Sequence, residues 1–203
     1  MAARAMANMG ANELILVQPE MWHKEKAAPL ATAQGQAILD ACRVEDSLEA
    51  VLRPFVAAYG TTARTGGWRK ELLQPEQAAL QIRSLLREGQ EESAAEKATQ
   101  TGDPVQVRMK ATAPGLYSGN RVALVFGSED RGLLNAEVEL CTRLVNVPTA
   151  IGNSSLNLAQ AVLLLLYECM KADMALPPVS GKKQHRKWTR PAGKADSRRA
   201  TLE

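Results

Sequence analysis

Short apolar runs alternate along the chain with segments of helical periodicity. Four of these runs, each closed by a glycine, a proline or a polar turn, predict β-strands: Glu13–Val17, Phe55–Tyr59, Arg121–Phe126 and Leu144–Val147. Their apolar residues are continuous rather than alternating with polar ones, which is typical of parallel strands that are buried on both faces. The pattern therefore predicts an α/β fold in which a mostly parallel sheet is flanked by helices.

Helical segments separate the strands. They are predicted at Ala2–Met9, Ala31–Ala41, Leu48–Leu52, Glu76–Arg87, Asn135–Cys141 and Asn157–Lys171. Three boundary residues support these assignments. Gly10 is suited to end the first helix, the Ser47 side chain to cap the third, and Pro75 to be the first helical residue of the fourth.

One long segment breaks this pattern. Residues 89–120 are rich in Glu, Ala, Thr, Gly and Pro and show no sustained period, which is uncommon inside a compact domain. We predict a flexible insertion there, either a mobile surface segment or a functional lid. Residues 1–175 then form one domain, and residues 176–203 follow it as a basic tail that we expect to be disordered.

The net charge of +3 conceals an uneven distribution of charged residues. Residues 181–200 contain eight basic side chains and one acidic side chain, Asp196, whereas residues 1–180 are mildly acidic. Such a tail is typical both of an arm that binds nucleic acid and of a solvated chain end. The charge alone leaves both interpretations open.

The composition excludes several classes of protein. Of the 203 residues, 45% are hydrophobic and 23% are charged, which is close to the globular average and excludes wholesale disorder. No apolar run reaches the roughly 18 residues that cross a bilayer, and no signal-peptide core is visible. Three widely spaced cysteines form neither a disulfide framework nor a zinc site. We therefore expect a cytoplasmic protein.

The usual nucleotide and hydrolase motifs are also missing. The chain has no GxxxxGK[ST], no GxGxxG after a strand and no GxSxG, and its two histidines lie in unrelated contexts. We predict no metal. Three polar or glycine-rich turns remain, at residues 60–64, 127–133 and 148–157. Any one of these turns alone is better explained by turn and cap chemistry, but three turns that follow successive parallel strands favour one shared ligand site.

Two of these turns resemble family motifs. The stretch LVFGSEDRGL, followed by VPTAIGNSSLNLAQAVLLLLYE, resembles motifs 2 and 3 of the SpoU/TrmH class within the SPOUT superfamily of RNA methyltransferases. The stretch AARAMANMGANELILVQP resembles the end of motif 1. The segment GTTAR narrows the resemblance to the TrmJ-like tRNA methyltransferases. The match runs from Ala2 to about Lys171, without the insertion.

This resemblance implies a fold and an activity. The implied fold has a deep C-terminal trefoil knot, which composition and periodicity do not indicate. The implied activity is transfer of a methyl group from S-adenosyl-L-methionine to a ribose 2′-hydroxyl of RNA, most specifically tRNA, by a homodimer whose sites use both subunits. The alternatives are a catalytically silent RNA-binding protein and a SPOUT enzyme that acts on rRNA or on a base nitrogen.

The resemblance also assigns residues. The implied cofactor-binding residues are Thr61, Thr62, Ala63, Gly127, Val147, Ser154, Ser155 and Leu156. The implied catalytic residues are Arg4, Glu129, Ser155 and Asn157. Because a guanidinium is normally protonated, anchoring a phosphate and polarising the hydroxyl is an easier role for Arg4 than that of a base.

Several neighbouring residues have open roles. Glu129 is suited either to orient Arg4 or to hold its loop, and Asn157 to cap the last helix. Arg64 is a candidate phosphate ligand, and Arg131 is a candidate for that role or for a surface ion pair.

For Gly127, we expect that a valine would occupy space that the adenosyl group needs and would leave the fold largely intact.

Two further expectations concern the sheet and the assembly. The family pattern has a strand and an Asn-Ile-Gly turn ahead of the motif 1 arginine, and these do not precede Arg4 here. A parallel sheet without that strand should expose apolar neighbours. In the last predicted helix, four apolar residues cannot all face one sheet, so we expect some of them to meet a partner subunit. These four are Leu158, Val162, Leu165 and Leu166.

Overall fold

The fold is given by a computed structural model that describes residues 1–20, 22–64, 66–67, 70–99, 120–150 and 156–175. For Leu30, residues 91–99 and Ala175 only the backbone is described. The helices are α1 (Ala2–Met9), α2 (Lys24–Ala27), α3 (Ala33–Asp40), α4 (Leu48–Leu52), α5 (Pro75–Thr99), α6 (Asn135–Leu140) and α7 (Leu158–Ala175), with a 3₁₀ turn at Ala28–Leu30. The strands are β1 (Ile15–Val17), β2 (Arg43–Glu45), β3 (Ala57–Thr61), β4 (Leu72–Leu73), β5 (Val122–Val125) and β6 (Arg143–Val145).

Every strand pairing among the described elements is parallel, as the continuous apolar runs predict. Four strands form a sheet in the order β4-β6-β3-β5, and β1 pairs with β2 in a second, two-stranded sheet. In the register of the larger sheet, Gly60 lies opposite Val125, and Thr61 lies opposite Val145. The carboxyl ends of β3, β5 and β6 therefore lie at the same edge of the sheet.

An ionic cluster joins the two sheets at their amino ends. The Glu13 carboxylate lies 3.0 Å from Nη2 of Arg43 at the start of β2 and 2.7 Å from Nη2 of Arg121, just before β5. The Arg121 guanidinium also lies 4.4 Å from the centre of the Phe55 ring. In the described part of the chain, β1 and β5 each have one edge without a strand partner, and most of their residues are half-buried.

Side chains of β3 alternate between two helical layers. Ala57 and Tyr59 face the layer of α5 and α7 and pack with Ile82 and Leu165. Ala58 faces the opposite layer, where a buried cluster includes Val138 of α6 and Cys141, with Leu48 and Leu52 of α4 at its border. Because both faces of β3 are covered from Ala57 to Gly60, its sequence shows no alternation of apolar and charged positions there.

A third cluster forms around α1. Ala3, Ala5 and Met6 pack against Ile38 of α3 and Val162 of α7. Gly35 of α3 lies against the backbone of Ala3, so the two helices approach closely. Helix α1 ends as predicted, because Gly10 adopts the left-handed conformation with φ 80° and donates its N–H to Ala7.

The helix caps confirm two predictions, whereas the length of α5 corrects one. Ser47 accepts a hydrogen bond from the N–H of Ala50, and α5 begins at Pro75. However, α5 continues to Thr99, so the expectation that residues from 89 onward lack regular structure is wrong for residues 89–99. The sequence there is rich in helix-forming Glu, Gln, Ala and Lys, which outweigh a single glycine.

Gly89 has a packing role inside this helix. Asn120 lies directly over Gly89, and its Nδ2 donates to the carbonyl oxygen of Leu85 at 2.9 Å. The glycine therefore makes room for the chain that returns to β5. The rest of the predicted insertion, residues 100–119, and the basic tail lie outside the described residues, so the predictions for them stay predictions.

Four short elements were not predicted from the sequence. Strands β2 and β4 have three and two residues, helix α2 has four, and the 3₁₀ turn has three. Segments this short show no period. In β2, the polar residues Arg43 and Glu45 flank an exposed Val44, so the strand lacks an apolar run as well.

Helix α7 carries the four apolar residues that were predicted to exceed the capacity of one sheet. Val162 and Leu165 are buried, and Leu158 and Leu166 pack within the cluster around α1. Val162 and Leu165 are therefore covered within the chain, whereas Leu158 and Leu166 are half-buried, so the expectation that some of the four meet a partner subunit stays a prediction. The apolar residues that α7 leaves exposed are Leu163, Leu164, Tyr167 and Met174. None of the helices in the described ranges is long and apolar enough to cross a membrane.

Candidate active site

Side-chain and backbone hydrogen bonds draw the ends of three strands together. Thr61 Oγ1 donates to the carbonyl oxygen of Val125 at 3.3 Å, which links β3 to the end of β5. The N–H of Thr62 donates to the carbonyl oxygen of Val145 at 2.9 Å, which links the end of β3 to the end of β6. The turns that follow these three strands therefore start from one edge, as the sequence predicts.

Asn146 is a buried polar residue at this edge that sequence reasoning missed. It is 8% exposed and is the one polar side chain among the buried residues of the described chain. Its Nδ2 donates to the carbonyl oxygen of Thr62 at 2.9 Å, and its N–H donates to Leu73 at 3.0 Å. The sequence signal is an asparagine directly after a buried apolar strand, where a buried amide needs a partner.

The loop after β5 closes on itself. The N–H of Gly132 donates to the carbonyl oxygen of Ser128 at 2.8 Å, and Gly132 adopts φ 68°, which favours glycine. A Cβ atom placed on Gly127 would overlap the backbone of Gly132 and Leu133. The expectation that a valine at Gly127 leaves the fold intact is therefore wrong, because the glycine is already required for the loop to close.

Arg131 forms surface ion pairs, which is one of the two roles that the sequence suggested for it. Its guanidinium contacts the Glu20 carboxylate and lies 3.2 Å from Asp130 Oδ2. The hydrogen bond to Glu20, followed by the nearby Asp130 charge, raises the pKa of Arg131. The Ser128 hydroxyl is the main cause of a lowered pKa of Asp130. Glu20, which follows β1, thus ties a fourth strand end to this loop.

Asn157 caps α7, as predicted, with a reciprocal pair of hydrogen bonds. Its Oδ1 accepts from the N–H of Ala159 at 2.9 Å, while its own N–H donates to Oε1 of Gln160 at 3.2 Å. An asparagine followed three residues later by a glutamine is the signature of a capping box, so the sequence contains this signal. The cap uses the Oδ1 atom of Asn157 and leaves its Nδ2 available.

That Nδ2 group donates to Oε1 of Glu129. The structure therefore brings together two of the residues that the resemblance implies to be catalytic, one from the loop after β5 and one from the start of α7. The sequence suggested that Glu129 either orients Arg4 or holds its loop. The hydrogen bond from Asn157 corresponds to the second role. Both residues are exposed, so the carboxylate remains accessible to a ligand.

Arg4 lies on the exposed face of α1. Within the described part of the chain, its side chain makes no hydrogen bond and no ion pair. Phe126, next to Gly127, packs against the cluster that contains α1 and α7. The helix that carries Arg4 thus lies beside the end of β5, and its guanidinium remains open to a ligand.

The other assigned residues have different environments. Val147 and Leu156 are half-buried, and Ala63 is exposed. Arg64 is exposed, and its Nη1 donates to Oδ1 of Asn135 at 3.4 Å. Ser154 and Ser155, which the resemblance assigns to the cofactor and to catalysis, lie outside the described residues.

The cysteines do not supply a nucleophile. Burial raises the pKa of Cys141 and of Cys169 to about 11, and it also raises the pKa of Cys42. These thiols are therefore protonated at neutral pH, and a protonated thiol is a poor nucleophile. In the described residues, no three His, Cys, Asp or Glu side chains are grouped so that they would hold a metal ion.

Comparison with known proteins decides the family. The SpoU rRNA Methylase family matches residues 1–167. The chain belongs to this family. Within it, the chain is 37% identical over 175 residues to a protein of Pseudomonas aeruginosa named tRNA (cytidine/uridine/adenosine-2'-O-)-methyltransferase TrmJ. That match covers 86% of this chain and 56% of the relative, so the chain spans little more than half of the relative's length.

Solved structures of similar proteins agree with the fold of this SpoU family member. TrmJ from Z. mobilis ZM4 superposes with a TM-score of 0.63 at 32% identity, over 88% of this chain and 65% of that one. A probable methyltransferase from Bordetella pertussis Tohama I superposes with a TM-score of 0.65 at 30% identity, over 84% and 85%. The predicted resemblance to the TrmJ-like proteins is thereby confirmed.

Proposed function

We propose that this SpoU family member transfers a methyl group from S-adenosyl-L-methionine to a ribose 2′-hydroxyl of tRNA. The observation that carries the proposal is the likeness to the TrmJ protein of Pseudomonas aeruginosa, which covers 86% of this chain. The geometry supports it, because the residues that correspond to the family motifs come together at the carboxyl ends of β3, β5 and β6, with Asn157 bonded to Glu129.

The described residues fit an adenosyl group at this edge. Ala63, Val147 and Leu156 offer apolar surface that is exposed or half-buried, as an adenine ring requires. The N–H of Thr62 is bonded to Val145 and its carbonyl oxygen to Asn146, so the neighbouring Ala63 amide is the backbone group of this turn that we propose for a ligand. Gly127, Ser154 and Ser155 complete the assigned cofactor set. When bound, S-adenosyl-L-methionine supplies the methyl group on a positively charged sulfonium.

The catalytic residues have separate tasks in this proposal. Arg4, exposed and unpaired within the described residues, binds the phosphate next to the target ribose and polarises the 2′-hydroxyl. The hydrogen bond from Asn157 fixes one oxygen of Glu129, so the carboxylate keeps its charge towards the site in one orientation. Ser155 belongs to the same assigned set. Holding the hydroxyl in line with the methyl group is the main contribution of such a site.

The proposed assembly is a homodimer with a trefoil-knotted C-terminal segment. Two features support it. The last strand, β6, is inserted between β3 and β4, although both precede it in the chain. Helix α7 exposes Leu163, Leu164 and Tyr167 on one surface, and obligate subunit interfaces are rich in such apolar side chains. The tRNA would contact both subunits of this dimer. One of its contacts would be the Arg64 side chain, which is hydrogen-bonded to Asn135 at the start of α6.

Methyl transfer from labelled S-adenosyl-L-methionine tests the proposal. Unmodified tRNA and a ribosomal RNA fragment are offered separately, and the label in each RNA is counted. We expect label in tRNA, with a large loss for Arg4→Ala and none for Arg53→Ala, an exposed arginine paired with Glu49. No transfer to either RNA would indicate the silent RNA-binding protein. Transfer to the ribosomal fragment alone would contradict the substrate assignment.

A further inference from the structure

Thr62 is held from both sides by the end of β6. Its N–H donates to the carbonyl oxygen of Val145, and its own carbonyl oxygen accepts from Nδ2 of Asn146, both at 2.9 Å. A third bond runs from the N–H of Arg64 to Thr62 Oγ1 at 3.1 Å. The two peptide units that flank Thr62 are therefore each held by one residue at the end of β6, the first by Val145 and the second by Asn146.

Asn146 itself is fixed before it reaches Thr62. Its N–H donates to Leu73 and extends the pairing of β6 with β4, while the preceding residues Leu144 and Val145 are fully buried. The side chain is 8% exposed. A buried amide with an anchored backbone has little freedom, so its hydrogen bond constrains the partner rather than following it.

We propose that Asn146 is a positioning residue for the cofactor: through the Thr62 carbonyl, it sets the geometry of the Thr61–Arg64 turn that forms one wall of the S-adenosyl-L-methionine site. The identity of the ligand in this inference rests on the proposed function, whereas the ordering of the turn by Asn146 does not. Asn146 does not itself belong to the assigned set of cofactor residues. The bond requires a donor at this position, because the Thr62 carbonyl only accepts.

Asn146→Asp is the most direct variant, because it keeps the size of the side chain and replaces the donor by an acceptor. A carboxylate facing the Thr62 carbonyl removes the bond and repels the oxygen. Asn146→Ala serves as the second variant if the aspartate does not fold. The matched control is Asn12→Asp, the same change at an exposed residue of the described chain.

Two readouts separate positioning from general stability. The first is the hydrogen-exchange rate of the Thr62 amide, measured by NMR against that of the Tyr59 amide in the preceding strand β3. The second is the affinity for S-adenosylhomocysteine, measured by calorimetry at a temperature where circular dichroism shows a folded variant, together with the KM values for cofactor and tRNA.

We expect exchange at Thr62 to become at least about tenfold faster while Tyr59 stays protected. The Kd for S-adenosylhomocysteine and the KM for the methyl donor should rise by about tenfold or more, and the KM for tRNA should stay unchanged. An unchanged Thr62 exchange rate, or unchanged cofactor affinity in a folded variant, would overturn the inference.

Failure of the proposed function gives a different result. If the chain binds no cofactor, the unaltered protein shows no affinity for S-adenosylhomocysteine, whereas the exchange measurement still decides whether Asn146 orders the turn. If only the methyl acceptor differs, both readouts still apply. Equal losses of protection at Thr62 and Tyr59 would show a general loss of stability and would also overturn the positioning role.

Discussion

The Nδ2 group of Asn157 donates a hydrogen bond to Oε1 of Glu129, while Oδ1 of the same side chain caps α7. One amide thus performs two tasks with its two ends. The cap stabilises the helix, and the bond to Glu129 ties the loop after β5 to that helix. Because the two tasks use different atoms, a substitution can remove one and keep the other.

Asn157→Asp is expected to keep the cap of α7 and to remove the hydrogen bond to Glu129. Aspartate caps helices about as well as asparagine, so the thermal midpoint should change little. Its carboxylate repels Glu129, however, so methyl transfer to tRNA should fall by about tenfold or more. Adding Glu129→Gln supplies a donor opposite the new carboxylate but removes the charge proposed for Glu129, so it should not restore the activity. Equal activity of Asn157→Asp and the unaltered protein would show that the bond has no role in the site.

Gly127→Ala is expected to destabilise the fold by about 1–3 kcal/mol, because the new methyl group meets the backbone of Gly132 and Leu133. Gly66→Ala is the matched control, since a Cβ atom there has no neighbour within 4 Å. Denaturant unfolding measures both variants. If Gly127→Ala were as stable as the control, the closed form of the loop described above would be wrong.

The raised pKa values of Cys141 and Cys169 predict weaker stability at alkaline pH. Both thiols have a pKa of about 11 in the folded protein against an ordinary value near 9.0, because burial disfavours the thiolate. The unfolded chain therefore loses these protons first, and the stabilising contribution, complete below about pH 9, is lost as the pH rises towards about 11.

Urea unfolding at about pH 8 and about pH 10 checks this sign. The free energy of unfolding should fall between the two, and a Cys141→Ala, Cys169→Ala double variant should show a smaller fall. Cys42→Ala, at a half-buried thiol, should change the difference less. An equal pH dependence in the double variant and the unaltered protein would exclude the two thiols as its cause.

If the exposed apolar surface of α7 forms the dimer interface, a charge placed on it should dissociate the dimer. Leu163 is 40% exposed and lies next to the exposed Leu164, so Leu163→Glu should place a charge in the proposed dimer interface. Sedimentation should then give the mass of one chain at micromolar concentration. Leu80→Glu, at a leucine of α5 that is 55% exposed, should leave the dimer intact. A single-chain mass for the unaltered protein would contradict the proposed dimer.

The sequence predicts the fold where one local rule decides the structure. The strand runs, the stop at Gly10 and the caps at Ser47 and Asn157 are of this kind, because each depends on neighbours along the chain. The role of Gly89 inside α5 is not, since Asn120, which packs over this glycine, lies far along the chain. A glycine that makes room for a distant segment looks the same in the sequence as one that ends a helix.

The site shows the same division. The family motifs led to Glu129 and Asn157, which the fold places in contact. They also led to Gly127, but its expected role was ligand access, whereas the structure requires it for the approach of Gly132. Asn146 and Glu20 act through bonds to residues 84 and 111 positions away, and no pattern along the chain reveals such a bond.

Nucleoside analysis of tRNA that the protein has methylated decides whether the ribose is the acceptor. The tRNA is digested to nucleosides after reaction with isotopically labelled S-adenosyl-L-methionine, and mass spectrometry locates the label on the ribose or on the base. We predict a labelled 2′-O-methylribose nucleoside that is lost with Arg4→Ala. Label on a base, or no labelled nucleoside from a protein that binds both the cofactor and tRNA, would contradict ribose methylation by this chain.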